Sequence, residues 1–225
     1  MGPGSERVHA ARVQRFNAVD LYPVTSEELS AGRSDVEVLE AVIAGGARIV
    51  QLRDKRSSML RLYEKARQFR ELTQAHDVLL IINDHVDIAI AIDADGVHLG
   101  QDDLPLPVAR QMVPDKIIGR STHSLAQAQE AVREGADYIN IGPIYPTGTK
   151  DGLHTFLGPE AIAGIASQID LPFTVMGGIK LTNVEELLDA GAQRIAVVTA
   201  ITQADDITAT VKTWRRKISA DAREQ

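Results

Sequence analysis

Eight short runs of β-branched residues alternate with stretches of helical period, and this alternation limits the folds open to the chain. The predicted strands cover residues 20–25, 48–53, 78–83, 96–99, 116–120, 138–142, 173–177 and 194–199. Helical patterns such as DVEVLEAVIAGG and SLAQAQEAVREGA lie between them, and several end in Gly-Ala, where a helix stops before a strand. Regular alternation predicts a parallel sheet with right-handed crossovers, and eight units predict an α/β protein with a single (β/α)8 TIM barrel.

An open, doubly wound sheet is the structural alternative. It is disfavoured because no G-x-G-x-x-G motif follows the first predicted strand. A chain of 225 residues is long enough for one barrel and does not require a second domain. We expect an N-terminal extension over 1–17, partly a cloning remnant in its first five residues, and a catalytic barrel over 18–225.

Charge and composition exclude several classes of function. A net charge of −7 and a pI near 5.4 argue against a protein that binds nucleic acid through a basic face. The absence of cysteine excludes disulfides, thiolate metal sites and cysteine nucleophiles. No apolar run is long enough to span a bilayer, and the N-terminus lacks the apolar centre of a signal peptide. We therefore expect a cytoplasmic protein that binds small molecules, not nucleic acid or membrane, as a monomer or small homo-oligomer.

Polar residues or glycines follow each predicted strand, at the end of a barrel where active sites form. Gln51, Arg53 and Lys55 alternate along the second strand and so face the same way. An amide, a guanidinium and an ammonium together suit a ligand that has a hydrogen-bonding ring and a polyphosphate. A rim salt bridge involving Asp54 or Arg56 is the plainer alternative for the two cations.

Acidic residues follow the third and fourth strands, which are neighbours in a barrel. Asp84 and Asp103 have no histidine cluster or thiol beside them, and two carboxylates suit Mg²⁺ that is also bound by substrate phosphate. A helix N-cap is the alternative for Asp84. Turn or cap roles are favoured for Asp95 and Asp102. Local sequence favours Asp103 over Asp102 only weakly.

The last loops carry candidates for binding an anion. The loop after the sixth strand offers hydroxyls, a glycine and a cation, although a surface turn is the alternative there. The glycine pair and the small residues after strands seven and eight place backbone N–H groups where barrels commonly bind phosphate. These candidates are Thr147, Thr149 and Lys150 in the first loop, and Gly178, Val198 and Thr199 in the others. His98 is expected to pack against the rim and is not predicted to be a catalytic base.

Six motifs occur in an order that is highly specific: VQLRDK, INDHVDIAIAIDADGVHLGQDDLP, GRSTHS, ADYINIGPIYPTGTK, MGGI and VVTAI. Together they closely resemble the thiamine-phosphate synthase (thiamine-phosphate pyrophosphorylase) family, from about Leu21 to the last helix. The resemblance implies a Mg²⁺-dependent (β/α)8 transferase of thiamine biosynthesis. It would join 4-amino-5-hydroxymethyl-2-methylpyrimidine diphosphate to hydroxyethylthiazole phosphate, or its carboxylate, and release diphosphate through a dissociative pyrimidine-cation mechanism.

The resemblance also implies a role for each matching residue. Asp84 and Asp103 would hold Mg²⁺, which decides between Asp103 and its neighbour. Groups that bind the pyrimidine diphosphate would be Gln51, Arg53, Lys55, Asn83, Ser121 and Lys150, and of these the catalytic ones would be Arg53, Lys55, Ser121 and Lys150. Groups that bind the thiazole phosphate would be Thr147, Thr149, Gly178, Val198 and Thr199. Arg120 departs from the family pattern, in which a small apolar residue is frequent, and so does the DGLHTFLGPE passage.

Two other functions stay open at this stage. One is a paralogous thiazole tautomerase, which would isomerise a thiazole carboxylate phosphate and would not need the metal and diphosphate residues. The other is a catalytically idle barrel that binds thiamine precursors as a sensor. The presence of Arg53, Lys55, Asn83, Asp84 and Asp103 favours the synthase over both.

Overall fold

Eight parallel strands form a closed barrel in the computed structural model, which describes residues 2–148 and 155–221. The strands are β1 (Leu21–Pro23), β2 (Ile49–Leu52), β3 (Leu79–Asn83), β4 (Gly96–Leu99), β5 (Ile117–Thr122), β6 (Tyr138–Ile141), β7 (Phe173–Val175) and β8 (Ile195–Val197). Each strand pairs with the next along the chain, and β8 pairs with β1. A parallel bridge between Val24 and Gln51 joins β1 to β2 and closes the ring. The predicted TIM barrel is confirmed.

Helices surround the strands. They are α1 (Pro3–Asn17), α2 (Asp35–Ala44), α3 (Met59–Ala75), α4 (Val86–Ala91), α5 (Leu106–Met112), α6 (Leu125–Arg133), α7 (Glu160–Ala166), α8 (Val184–Asp189), α9 (Thr199–Thr202) and α10 (Ile207–Asp221), with a 3₁₀ turn at Glu27–Leu29. Serine caps begin α2, α3 and α6, since Ser34, Ser58 and Ser124 each accept a backbone N–H from the first turn. Such caps contribute about 1 kcal/mol of stability each. Local sequence therefore determines where the loops before these three helices end.

The strands are apolar on both faces because each face meets a different part of the core. Val50 and Leu80 point outward and pack in the layer between the strands and the helices. Ile49, Leu79 and Ile81 point inward and fill the barrel interior. Alternation along each strand therefore separates an outer core from an inner one.

Helix α1 closes the N-terminal end of the barrel. Its Phe16 ring stacks on Tyr138 with the ring centroids 4.3 Å apart, and the guanidinium of Arg194 lies 5.7 Å from the Phe16 centroid. With this end filled, a ligand has to approach from the C-terminal ends of the strands. The division into an extension (1–17) and a barrel (18–225) stays a prediction. None of the helices in the described ranges is long and apolar enough for a membrane span.

Candidate active site

Two carboxyls meet where β3 and β4 end, and we call Asp84 and Asp103 the acid pair. The backbone N–H of Asp84 donates to the carbonyl of His98 on β4 over 2.9 Å. Asp103 lies in the loop after β4, where its Oδ2 accepts the N–H of Gly100 at 2.6 Å. These anchors bring the two carboxyls within hydrogen-bonding reach of each other. Lys55 adds an ion pair with Asp84.

Asp84 has a left-handed backbone, as Asp77 and Asp93 also have. Its φ of 62° is left-handed, a conformation that costs free energy for a residue other than glycine and that often occurs at functional sites. The N-cap of α4 is His85, so the predicted alternative, a helix cap at Asp84, does not apply.

The electrostatics of the acid pair suit a divalent cation. Burial raises the pKa of Asp84, and the neighbouring Asp103 carboxyl raises it further against the opposing effect of Lys55. Burial also acts to raise the pKa of Asp103, but contact with Asp84 and the Gly100 N–H outweighs it and leaves that pKa lowered. Two carboxylates so close repel each other when both are ionised, and a hard cation with oxygen ligands relieves that repulsion.

A second acidic group lies on the outer side of β2, where Glu27, Asp35 and Asp54 place oxygens within 4.8 Å of one another. The ammonium of Lys65 lies 2.6 to 2.7 Å from all three carboxylates. An ammonium already supplies the positive charge at the centre of this group. We therefore assign it to holding α3 against α2 and the loops after β1 and β2, and not to a metal.

The predicted cations after β2 separate in the structure. Lys55 is half exposed and reaches the acid pair, whereas its neighbour Asp54 pairs with Lys65. Arg53 is partly buried, and its backbone N–H donates to Thr25 Oγ1 over 3.4 Å. Asp54 and Arg56, the residues of the plainer alternative, do form salt bridges, but with Lys65 and Glu28 and not with Arg53 or Lys55.

Inside the barrel, polar side chains connect opposite strands. Gln51 Nε2 donates to the Tyr22 hydroxyl at 3.0 Å, and the Tyr22 and Tyr138 hydroxyls lie 2.9 Å apart. His98 continues the connection, with Nδ1 2.9 Å from the Tyr138 hydroxyl and Nε2 2.9 Å from Ser121 Oγ. The expectation that His98 packs against the rim was wrong, because its ring lies in the interior. Sequence reasoning also missed Tyr22 and Tyr138, although their inward phase on β1 and β6 was a usable signal.

Burial governs the charge of these interior groups. It lowers the pKa of His98 to about 4, so the imidazole is neutral near pH 7. It raises the pKa of both tyrosines, which stay protonated. With both ring nitrogens of His98 in hydrogen bonds, the ring is not arranged as a free general base.

The β4 loop is held against the end of β5 beside the acid pair. Gln101 Nε2 donates to the Ser121 carbonyl at 2.6 Å, and Arg120 Nη2 reaches the Gln101 carbonyl at 3.5 Å. The other terminal nitrogen of Arg120 is buried and has no hydrogen-bond partner among the described residues. Arg120 also helps to lower the pKa of Asp103. Arg120 thus lies beside the β4 loop that carries Asp103.

The loops after β6, β7 and β8 end at the same face. Gly178 has a φ of 64°, and a Cβ there would lie 2.4 Å from the carbonyl oxygen of Pro146, so the β6 and β7 loops pack closely. Thr147 is partly buried in the β6 loop. Val198 follows β8 as the N-cap residue of α9, which begins at Thr199. The predicted residues Thr149 and Lys150 lie outside the described residues.

Comparison with known proteins decides the family. The model of the thiamine monophosphate synthase family matches residues 21–201. The chain belongs to this family. The thiamine-phosphate synthase of Halalkalibacterium halodurans is 48% identical over 86% of this chain and 92% of the relative. The thiamine-phosphate synthase of Chloroflexus aurantiacus is 45% identical over 88% of this chain and 92% of the relative.

A solved structure gives the same result for the fold. The thiamine phosphate pyrophosphorylase from Pyrococcus furiosus superposes with a TM-score of 0.85 at 35% identity, over 92% of this chain and 98% of that chain. Membership of the thiamine monophosphate synthase family confirms the predicted resemblance and the predicted class of transferase. The roles of individual site residues stay predictions.

Proposed function

We propose that this protein joins 4-amino-5-hydroxymethyl-2-methylpyrimidine diphosphate to hydroxyethylthiazole phosphate, or its carboxylate, giving thiamine phosphate and diphosphate. One observation carries the proposal: the acid pair and Lys55 lie beside Asn83, the residue that precedes Asp84 at the end of β3. Groups that can bind a metal and a diphosphate thus lie next to amide and hydroxyl groups that can bind an aromatic ring. The relatives carry the name of this activity.

The acid pair would hold Mg²⁺ in this proposal. Its two carboxylates are the hard oxygen ligands that Mg²⁺ takes in small number beside substrate phosphate. When bound, Mg²⁺ supplies positive charge against the charge that develops on the departing diphosphate. Lys55 would bind the same phosphates, and the contact of its ammonium with Asp84 supports this role.

Arg53 and Lys150 would supply the remaining cationic groups. A guanidinium can bind two phosphate oxygens at once, whereas an ammonium acts as a point charge. Cleavage of the C–O bond leaves its electron pair on the diphosphate, and the aminopyrimidine ring delocalises the positive charge on the methylene carbon. Cations fixed before the reaction lower this barrier because they need not reorganise as charge develops.

Gln51, Asn83 and Ser121 would orient the pyrimidine ring. Gln51 and Asn83 are almost fully buried inside the barrel, and Ser121 is partly buried at the end of β5. The thiazole nitrogen then forms the C–N bond with its own lone pair and has no proton to lose. Catalysis therefore depends on positioning and charge, without a general base.

The β6, β7 and β8 loops would bind the thiazole phosphate. The proposed groups are the hydroxyls of Thr147 and Thr149 and the backbone N–H groups of Gly178, Val198 and Thr199. Support comes from the close packing of the β6 and β7 loops at Gly178. Barrels commonly bind phosphate with the loops after their last two strands. The cytoplasmic location and the small homo-oligomer stay predictions.

The test mixes the pyrimidine diphosphate with the thiazole phosphate, with and without Mg²⁺, and measures thiamine phosphate and diphosphate. A parallel reaction uses the thiazole carboxylate phosphate. We expect equal amounts of the two products, and only with Mg²⁺. Absence of product with Mg²⁺ would overturn the proposal. Isomerisation of the thiazole carboxylate phosphate alone would identify a tautomerase, and binding of both precursors without turnover would identify a sensor.

A further inference from the structure

Five side chains form one continuous hydrogen-bonded connection across the barrel, and we call it the interior relay: Gln51, Tyr22, Tyr138, His98 and Ser121. Its two ends are residues that the proposed function assigns to the pyrimidine ring, and its three middle residues have no role there. We propose that Tyr22, Tyr138 and His98 are positioning residues, which couple the hydrogen-bonding polarity of Gln51 to that of Ser121. This inference rests on the proposed function.

The coupling follows from counting protons. With Gln51 Nε2 donating to Tyr22, the single proton of the Tyr22 hydroxyl is left to donate to Tyr138. Tyr138 then donates to His98 Nδ1, and the Nε2–H of the neutral ring donates to Ser121 Oγ. The Ser121 proton is left for a ligand, while Gln51 is left with Oε1 to accept and with its second Nε2–H. Reversing any one bond requires reversing all of them.

Burial makes this coupling strict. Tyr22 is 1% exposed, Tyr138 is 0% exposed and His98 is 7% exposed, so water is not at hand as an alternative partner. A buried donor facing a donor leaves both unsatisfied, and the penalty exceeds the value of an ordinary hydrogen bond. The relay therefore has two allowed states, and in each state its ends have opposite polarity.

Opposite polarity at the two ends suits an aminopyrimidine ring. Its exocyclic amino group donates, while its ring nitrogens accept. An accepting Gln51 and a donating Ser121 match these groups, and the direction of the Gln51 bond in the structure corresponds to this state. The relay would fix the hydrogen-bonding direction of both end groups before the ligand binds. This reduces the free-energy cost of ordering those side chains on binding.

Packing holds the middle of the relay in place. A Cβ at Gly119 would lie 2.1 Å from Tyr138 Cζ, so the ring crosses the barrel only because residue 119 is glycine. The ring of Phe16 in α1 stacks on the same Tyr138 ring, with the two centroids 4.3 Å apart. Removal of the Tyr138 hydroxyl alone keeps both of these contacts. The variant Tyr138→Phe thus breaks the relay and keeps the shape of the core.

The first experiment measures steady-state kinetics of Tyr138→Phe for both substrates. We expect the KM for the pyrimidine diphosphate to rise about tenfold and the KM for the thiazole phosphate to change less than about twofold. The matched control is Tyr63→Phe, which removes a hydroxyl from a partly buried tyrosine on α3, outside the barrel. It should leave both constants unchanged.

A second experiment separates positioning from a general structural role. Tyr138→Phe is combined with the double variant Gln51→Ala and Ser121→Ala, and the Kd for the pyrimidine diphosphate is measured by calorimetry without thiazole. If Tyr138 acts through the two ends, it should weaken binding less than about twofold in this background. A tenfold loss there, an unchanged KM in Tyr138→Phe, or equal loss for both substrates would overturn the inference.

The outcomes also separate this inference from the proposed function. A wild-type protein that makes no thiamine phosphate overturns the proposed function and the relay with it. A wild-type protein that turns over, with a Tyr138→Phe variant that behaves identically, overturns the relay alone. Thermal unfolding of each variant reports whether it folds. If Tyr138→Phe does not fold, Tyr22→Phe interrupts the same connection one bond earlier and takes its place under the same criteria.

Discussion

The two ends of the barrel use aspartate in opposite ways. At the N-terminal end, Asp95 accepts the N–H of Leu80 at 2.9 Å and pairs with Arg70 at 2.8 Å. At the C-terminal end, the two carboxyls of the acid pair contact each other, with one ion pair to Lys55. A carboxylate paired with a cation stabilises the fold, whereas two carboxylates that face each other need a cationic ligand. In barrels generally, the first end serves stability and the second serves catalysis.

The arrangement at the N-terminal end repeats. Asp137 stands just before β6 as Asp95 stands before β4, and each accepts an N–H from the preceding strand. For Asp137 the donor is Ile118 on β5, over 2.7 Å; Arg110 adds an ion pair, and His9 Nε2 adds a hydrogen bond at 2.8 Å. These aspartates therefore join neighbouring strands and the outer helices at one point. The role is more than the turn chemistry that the sequence suggested for Asp95.

The largest effect is expected at the acid pair. Asp84→Ala or Asp103→Ala should lower turnover by about 100- to 1,000-fold, because each removes a fixed charge at the reacting centre. Stability should hold, since each change also relieves repulsion between the carboxyls. Initial rates of thiamine phosphate formation and thermal unfolding check both statements. Asp102→Ala, at an exposed neighbour, is the control and should keep the wild-type rate. Unfolded variants would mean that the acid pair is structural.

The opposite result is expected at the N-terminal end. Asp95→Ala leaves Arg70 and the Leu80 N–H without their buried partner, and it should lower the free energy of unfolding by about 3 kcal/mol. KM values of the folded enzyme should not change. Urea unfolding measures the stability, with Asp87→Ala, an exposed aspartate of α4, as a control expected within about 0.5 kcal/mol of wild type. A loss of activity without a loss of stability would contradict the division between the two ends.

The smallest effect is a dependence of stability on pH. Burial acts to raise the pKa of Asp137, but His9, Arg110 and the Ile118 N–H outweigh it and leave the pKa below its usual value. A carboxyl with a lowered folded-state pKa stabilises the protein above the unfolded value of about 4, and the contribution is lost as pH falls through the folded value. Asp137→Asn should therefore flatten the fall in the free energy of unfolding on acidification below about pH 4. Urea unfolding across that pH range measures the free energy. A fall in the variant that runs parallel to the fall in wild type would contradict this prediction.

Sequence alone was sufficient for most of the fold. All eight predicted strands occur, with ends shifted by no more than two residues. Burial on both faces makes each strand a short run of apolar residues, which is easy to recognise in the sequence. At β5 the strand continues through Ser121 and Thr122, beyond the predicted end at residue 120. Strand phase and chain order likewise predicted that Lys55, Asp84 and Asp103 would meet at one end.

Tertiary structure decided which side chains touch. The period of a strand places Tyr22, Tyr138 and His98 inside the barrel, but their hydrogen bonds join β1, β4 and β6, which are not neighbours. Such contacts depend on the curvature and closure of the barrel, which no local pattern encodes. The same holds for Lys65, whose three acidic partners come from separate segments. Sequence determined the face on which each residue lies, and closure of the sheet determined its partners across the interior.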